Sequence, residues 1–190
     1  MAKYLIIDNY DSFTYNLHHF LEDILKQDVL VMRNDDSRLD RLDTFTHLIF
    51  SPGPGLPAEA GKMNEIILRE ANRRKMLGIC LGMQAMAVSL GGKLENLSRV
   101  VHGMPALLST WDQEDLLFRN LQPPLVVGRY HSWVVNPDSV STQFNLTSFT
   151  EDGLLMSFTH KNLPMYGVQF HPESILTPQG KLLIENFTKI

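Results

Sequence analysis

The sequence predicts an α/β fold in three layers: a mostly parallel central sheet with helices on both faces, and a smaller mixed or antiparallel β region in the second half. Two observations carry this. In the first half, short apolar runs alternate with stretches of helical periodicity, and parallel strands need such crossover connections. After Gly91-Gly92 the helical periodicity gives way to β-branched runs punctuated by turn residues. At 190 residues the chain is expected to be one domain, 1–190, large enough to bury a single sizeable core.

Lys3 to Asp8 is a β-type run that passes at once into the polar stretch Asp8-Asn9-Tyr10-Asp11-Ser12. Leu17, Phe20, Leu21, Ile24 and Leu25 then recur at helical spacing, so a helix over 12–26 follows, with Asp11 or Ser12 as its N-cap. Val29 to Met32 and Thr46 to Phe50 are the next strands, and the second ends in Ser51-Pro52-Gly53-Pro54-Gly55, which reads as a loop. Gly61 to Lys75 reads as a helix with Ile66, Ile67, Leu68 and Ala71 inward and Arg69, Glu70, Arg73, Arg74 and Lys75 solvated. Met76 to Ile79 is a fourth strand, and Met83 to Leu90 the helix after it.

In the second half, β-type runs occupy Arg99 to His102, Ala106 to Thr110, Leu125 to Val135, Asn145 to Phe149 and Leu154 to Thr159. Pro164 to Phe170 is a last buried strand, and Pro178 to Thr188 a closing helix with Leu182, Leu183 and Phe187 turned inward. Sites in parallel sheets form beyond the carboxyl ends of the strands. The Asp8 loop, the Ser51 to Gly55 loop and the segment at Cys80 therefore share one edge.

Composition narrows the function classes. A formal net charge of -4 gives no basic footprint, which argues against nucleic acid as a partner. The N-terminal apolar run is too short for a signal peptide and no later stretch approaches a membrane span, so no membrane is expected. A single cysteine precludes an intrachain disulfide and fits a reducing, cytoplasmic setting. Neither a metal-ligand spacing nor a glycine-rich phosphate loop is present, and no metal site is expected.

That cysteine sits in Gly78-Ile79-Cys80-Leu81-Gly82, the G-x-nucleophile-x-G form of a strand-to-helix elbow with cysteine in the serine position. Glycines relieve the crowding of so tight a turn. A sulfur at a helix N-terminus meets orphan N–H groups that favour the thiolate, and the Leu81 N–H would face an oxyanion. A small buried hydrophobe is the competing reading until a base is found. His171 and Glu173 supply base and orienter: residues two apart on an extended segment point the same way, and Pro172 fixes the backbone between them. His171 would take the thiol proton and return it to the leaving group, while Glu173 holds the tautomer. Gly53 N–H, in a loop stiffened by prolines, would join Leu81 N–H as the oxyanion hole. His131 is a second candidate base, although its place in Arg129-Tyr130-His131 favours a structural or partner-facing role.

Five blocks in order, D-N-Y-D-S-F-T-Y-N-L from Asp8, S-P-G-P-G from Ser51, G-I-C-L-G from Gly78, R-Y-H-S from Arg129 and G-V-Q-F-H-P-E-S from Gly167, carry a resemblance over essentially the whole chain. The sequence resembles the class I (triad) glutamine amidotransferases, in particular the small subunits of anthranilate and aminodeoxychorismate synthases. The elbow and the H-P-E block are specific for the class, and the first block points to the chorismate-using synthases. The resemblance implies a flavodoxin-like layered fold, with Cys80 attacking the side-chain amide of L-glutamine to give a γ-glutamyl thioester and ammonia. Gln84, Ser132 and Trp133 would bind the amino-acid end of glutamine, and Gly53, Gly55 and Leu81 its amide end.

Ammonia would pass to a chorismate-binding synthase large subunit, with anthranilate synthase the leading partner and aminodeoxychorismate synthase the alternative, alone or shared. The resemblance implies no cofactor in this chain and magnesium in the partner. Asn9, Tyr10 and Phe13, with the helix over 12–26, are expected to form part of the partner surface; a helix cap with core aromatics is the other reading. A free-standing γ-glutamyl hydrolase and a non-catalytic regulatory subunit are rivals, opposed by the first block and by the intact Cys80, His171 and Glu173. The family often has histidine where this chain has Met83.

Overall fold

A computed structural model describes residues 2–98 and 101–190. The strands are β1 (Tyr4–Asp8), β2 (Leu30–Arg33), β3 (His47–Phe50), β4 (Lys75–Ile79), β5 (Leu94–Asn96), β6 (Met104–Trp111), β7 (Val126–Arg129), β8 (Trp133–Val135), β9 (Phe144–Thr150), β10 (Leu155–His160) and β11 (Met165–Val168). The helices are α1 (Thr14–Leu25), α2 (Met63–Glu70), α3 (Leu81–Ser89), α4 (Pro137–Val140) and α5 (Gly180–Lys189).

Nine strands form one sheet in the order β2-β1-β3-β4-β11-β10-β9-β6-β7. The five from β2 to β11 pair in parallel and the remainder antiparallel. The antiparallel half thus continues the central sheet, and β5 and β8 make a separate small antiparallel pair.

Side chains of β1 alternate between two cores, as the strand period demands. Leu5 and Ile7 face a cluster with Met63, Ile66 and Ile67 of α2 and Met83 and Met86 of α3. Tyr4 and Ile6 face another with Leu17 and Leu21 of α1 and Leu183, Ile184 and Phe187 of α5. Helices therefore cover both faces, which is why β1 and β3 are buried along their whole length.

Several boundaries differ from expectation. The helix expected over Gly61 to Lys75 is confined to α2, because Ala71 to Arg74 turn and Lys75 already belongs to β4. Leu68 is 55% exposed, off the inward stripe. Glu70, expected in solvent, is buried; Arg69 Nε donates to its Oε1 at 2.8 Å, and Arg74 Nε stands 3.6 Å from Oε2.

The residue before α1 is Phe13, with no side-chain cap; Asp11 Oδ1 instead accepts from Phe13 N–H at 2.8 Å. The run Leu125 to Val135 breaks into β7 and β8 around Tyr130 to Ser132. Of the run expected at Arg99 to His102, residues 99 and 100 lie outside the described residues, and Val101 and His102 are in no strand. Among the described residues no helix is long and apolar enough to cross a membrane.

Candidate active site

The carboxyl ends of β1, β3, β4 and β11 bring the expected loops to one edge. Cys80 joins β4 to α3 with φ of 51°, a conformation rare outside glycine, and its N–H donates to Val168 O at 2.8 Å. The flanking glycines are sterically required. A Cβ on Gly78 would lie 2.5 Å from the Gly82 carbonyl carbon, and one on Gly82 2.5 Å from Phe50 O. Both contacts are with main chain, which cannot yield as a flexible side chain could.

Gly53 extends the same logic to the neighbouring loop. A Cβ there would stand 2.6 Å from Asn9 O and 3.0 Å from Leu81 Cδ2. The glycine lets the Ser51 to Gly55 loop settle between the end of β1 and the elbow, so Gly53 and Leu81 are close neighbours. Asn9 anchors that loop: its N–H donates to Ser51 Oγ and its Nδ2 to Ser51 O, each at 2.8 Å, and Asn34 Nδ2 donates to Asn9 Oδ1 at 3.0 Å.

His171 and Glu173 follow β11 in a turn closed by Ser174 N–H on His171 O, not on the extended segment expected. They nonetheless meet, with His171 Nδ1 2.7 Å from Glu173 Oε1, both side chains buried. Burial by itself lowers the imidazole's pKa, but the neighbouring Cys80 sulfur and the Glu173 carboxylate outweigh it and push it up to about 10. The sulfur acts by proximity rather than through an aligned hydrogen bond, since buried Nε2 has no partner among the described residues. Phe13 and Tyr130 wall the imidazole, their ring centroids 5.8 and 4.8 Å from its own. Asp11 completes this surround; burial raises its carboxyl's pKa, and the His171 charge opposes the rise.

A cleft of about 300 Å³, of the size that small ligands occupy, is lined by Gly53, Gly55, Cys80, Leu81, Gln84 and the segment Tyr130 to Trp133. Gln84, on the first turns of α3, donates through Nε2 to Trp133 O at 2.8 Å and to Gln169 Oε1 at 3.1 Å. His131 also lines the cleft but is poorly placed to act as a base. Burial and the Arg129 charge push its pKa down to about 4, and its Nε2 accepts from Arg129 Nε at 3.2 Å.

The family model for glutamine amidotransferase class-I matches residues 5–190. The chain belongs to this family. Aminodeoxychorismate synthase component 2 of Escherichia coli (strain K12) is 44% identical over 185 residues, covering 96% of this chain and 97% of that one. Aminodeoxychorismate/anthranilate synthase component 2 of Bacillus subtilis (strain 168) is 40% identical over 185 residues, covering 96% and 94%. A crystal structure of a glutamine amidotransferase from Thermotoga maritima shares the fold at a TM-score of 0.78 and 15% identity, covering 99% of this chain and 96% of that one.

In this amidotransferase every residue singled out in the sequence for glutamine binding lines the one cleft, and Cys80 with it. Of the residues expected on a partner surface, Asn9 is buried beneath the Ser51 loop and Phe13 packs against His171. Tyr10 alone of the three is exposed, at 51%, with Arg33 stacked 4.2 Å from its ring centroid and its OH donating to Asp35 Oδ2 at 2.7 Å. Sequence reasoning missed Gln169, which is fully buried and donates through Nε2 to Cys80 Sγ at 3.4 Å. A polar residue in an otherwise apolar buried strand end was the available signal.

Proposed function

We propose that the cleft hydrolyses the side-chain amide of L-glutamine through a thioester on Cys80 and supplies the ammonia to a chorismate-binding partner subunit. The observation that carries the chemistry is the meeting of Cys80, at a helix N-terminus with positive φ, with the buried His171–Glu173 pair at the end of a glutamine-sized cleft.

In this reading the Cys80 sulfur attacks the amide carbon while the developing oxyanion is held by the N–H groups of Gly53 and Leu81. His171, held protonated by its neighbours, gives a proton to the departing nitrogen, and ammonia leaves. The neutral imidazole then takes a proton from water as its oxygen attacks the thioester carbon, and glutamate departs as the sulfur is released. Glu173 keeps the ring oriented through Nδ1. Gln84, Ser132 and Trp133 hold the amino-acid end of the substrate, and Gly55 closes the amide end. No step calls for a cofactor in this chain.

The acceptor side of the proposal is supported by the relatives' names, each a component 2 of a synthase. Amination to anthranilate is the leading reading, matching the anthranilate part of the Bacillus subtilis relative's name. Amination to aminodeoxychorismate is the second, favoured by the Escherichia coli relative, and one subunit serving both is compatible with either. The test is to recover the chain with its partner subunit, supply glutamine, chorismate and magnesium, and identify the aromatic product. Anthranilate supports the leading reading. Aminodeoxychorismate, trapped as para-aminobenzoate by an added lyase, supports the second, and formation of neither product from glutamine and chorismate would remove the chorismate partner from the proposal.

A further inference from the structure

Trp133 of β8, Gln84 on the helix that Cys80 opens, and Gln169 after β11 come from three separate places in the chain and, with Cys80, form a run of hydrogen bonds whose direction is fixed at one end. The Trp133 carbonyl can only accept, so Gln84 must turn its amide nitrogen toward it, at 2.8 Å. The same nitrogen faces Gln169 at 3.1 Å, which obliges Gln169 to present its oxygen there. The Gln169 amide nitrogen is then left for the Cys80 sulfur, 3.4 Å away. Turning the Gln169 amide over would set two donors against each other, and turning both would set two carbonyl oxygens together at Trp133. One main-chain carbonyl therefore dictates that a donor faces the sulfur.

We propose that Gln169 is a further catalytic residue: it donates the hydrogen bond that holds the Cys80 sulfur as a thiolate aimed into the cleft, and Gln84 and the Trp133 carbonyl fix its orientation. This rests on Cys80 being the nucleophile of the proposed reaction. A thiolate only accepts, and a charge-assisted hydrogen bond to it is stronger than one to a neutral thiol. Gln169 is fully buried and tied at its oxygen, so its donor stands ready without reorganisation. A second consequence follows from Trp133, which lines the cleft where the amino-acid end of glutamine is assigned: the wall that receives substrate is also the anchor of the sulfur's donor.

The pH dependence of alkylation by iodoacetamide tests this directly, because the chain holds one cysteine and labelling reports on it alone. The titratable groups around the sulfur are His171 and Glu173 after β11, Asp11 before α1, and Tyr130 and His131 between β7 and β8. Substitution at 169 alters none of them. Gln169→Leu is expected to move the midpoint of the alkylation profile up by about one pH unit, the size of a lost hydrogen bond to a charged group. Gln169→Glu is expected to move it at least as far, since a carboxylate accepts from Gln84 yet offers the sulfur no donor and adds a like charge. The Glu variant is nearly isosteric and keeps the Gln84 contact, so it reads the outcome even where Leu disturbs folding. Profiles coincident with wild type in a folded variant would overturn the proposal. Glutamine hydrolysis by the wild type is measured in parallel; its absence alongside a shifted profile would remove the glutaminase reading and leave the sulfur's donor in place.

Discussion

Asn9 and Ser51 are joined twice, through Asn9 N–H to Ser51 Oγ and through Asn9 Nδ2 to Ser51 O, each at 2.8 Å. This pair fastens the loop carrying Gly53 to the end of β1. Asn9→Ala keeps the main-chain bond but strands the Ser51 carbonyl and the Asn34 amide, both of residues that are buried. Leaving two such groups unpaired costs about 2–4 kcal/mol. Urea unfolding is expected to show that loss as a lower midpoint at unchanged slope, together with a fall in kcat for glutamine as the Gly53 N–H loses its position.

The elbow glycines predict a steep contrast. Gly82→Ala drives a Cβ to within 2.5 Å of Phe50 O, whereas Gly153→Ala, although at φ of 77°, meets nothing within 4 Å. Overpacking against main chain is expected to cost about 3 kcal/mol or to prevent folding. The φ penalty alone at Gly153 is about 1–2 kcal/mol. Thermal unfolding of the two variants side by side checks the ordering, and equal losses would mean that the close packing of α3 on β3 is not what fixes Gly82.

His171 carries a pH signature. Its pKa in the fold is raised to about 10, above its unfolded value near 6.5. The stabilisation that comes from its charge is therefore complete below about pH 6.5 and lost as pH rises through about 10. Glu173→Gln removes one of the groups that holds the charge. The stability difference between wild type and this variant is expected to shrink as pH is raised from 7 to 10.5, and histidine NMR should show the imidazole titrating at lower pH in the variant. A difference that grows with pH would contradict the assignment.

Met83 is buried, and a Cβ on Gly167 of β11 would stand 2.8 Å from its Cγ. The position packs α3 against the sheet. Met83→His, the residue frequent in the family, is expected to bury an imidazole in an apolar cluster at a cost of about 1–3 kcal/mol, with little change in glutamine hydrolysis. Thermal unfolding and kcat together separate these effects; a large fall in kcat at unchanged stability would place Met83 in the chemistry.

Much of this architecture was legible in the chain because its signals are local. The β1, β3 and β4 runs are buried on both faces and so read as continuous apolar stretches, and the elbow announces itself by two glycines with steric reasons to be there. What escaped depends on contacts between distant segments. Glu70 looks solvated in a helical pattern and is buried because Arg69 and Arg74 enclose it. Asn9 looks like a surface group beside a site and is buried because the Ser51 loop packs on it, and Phe13 is half-buried against the His171 ring. Gln169 gains its meaning only once α3 and β8 arrive beside it.

The central claim is that Cys80 carries the amide chemistry, and glutamate release from glutamine by wild type and Cys80→Ala measures it most directly. With the partner subunit present, the variant is expected to stay folded and in complex, to lose glutamate release to background, and still to form the aminated product when ammonium is supplied in place of glutamine. Glutamate release undiminished in Cys80→Ala would contradict the account.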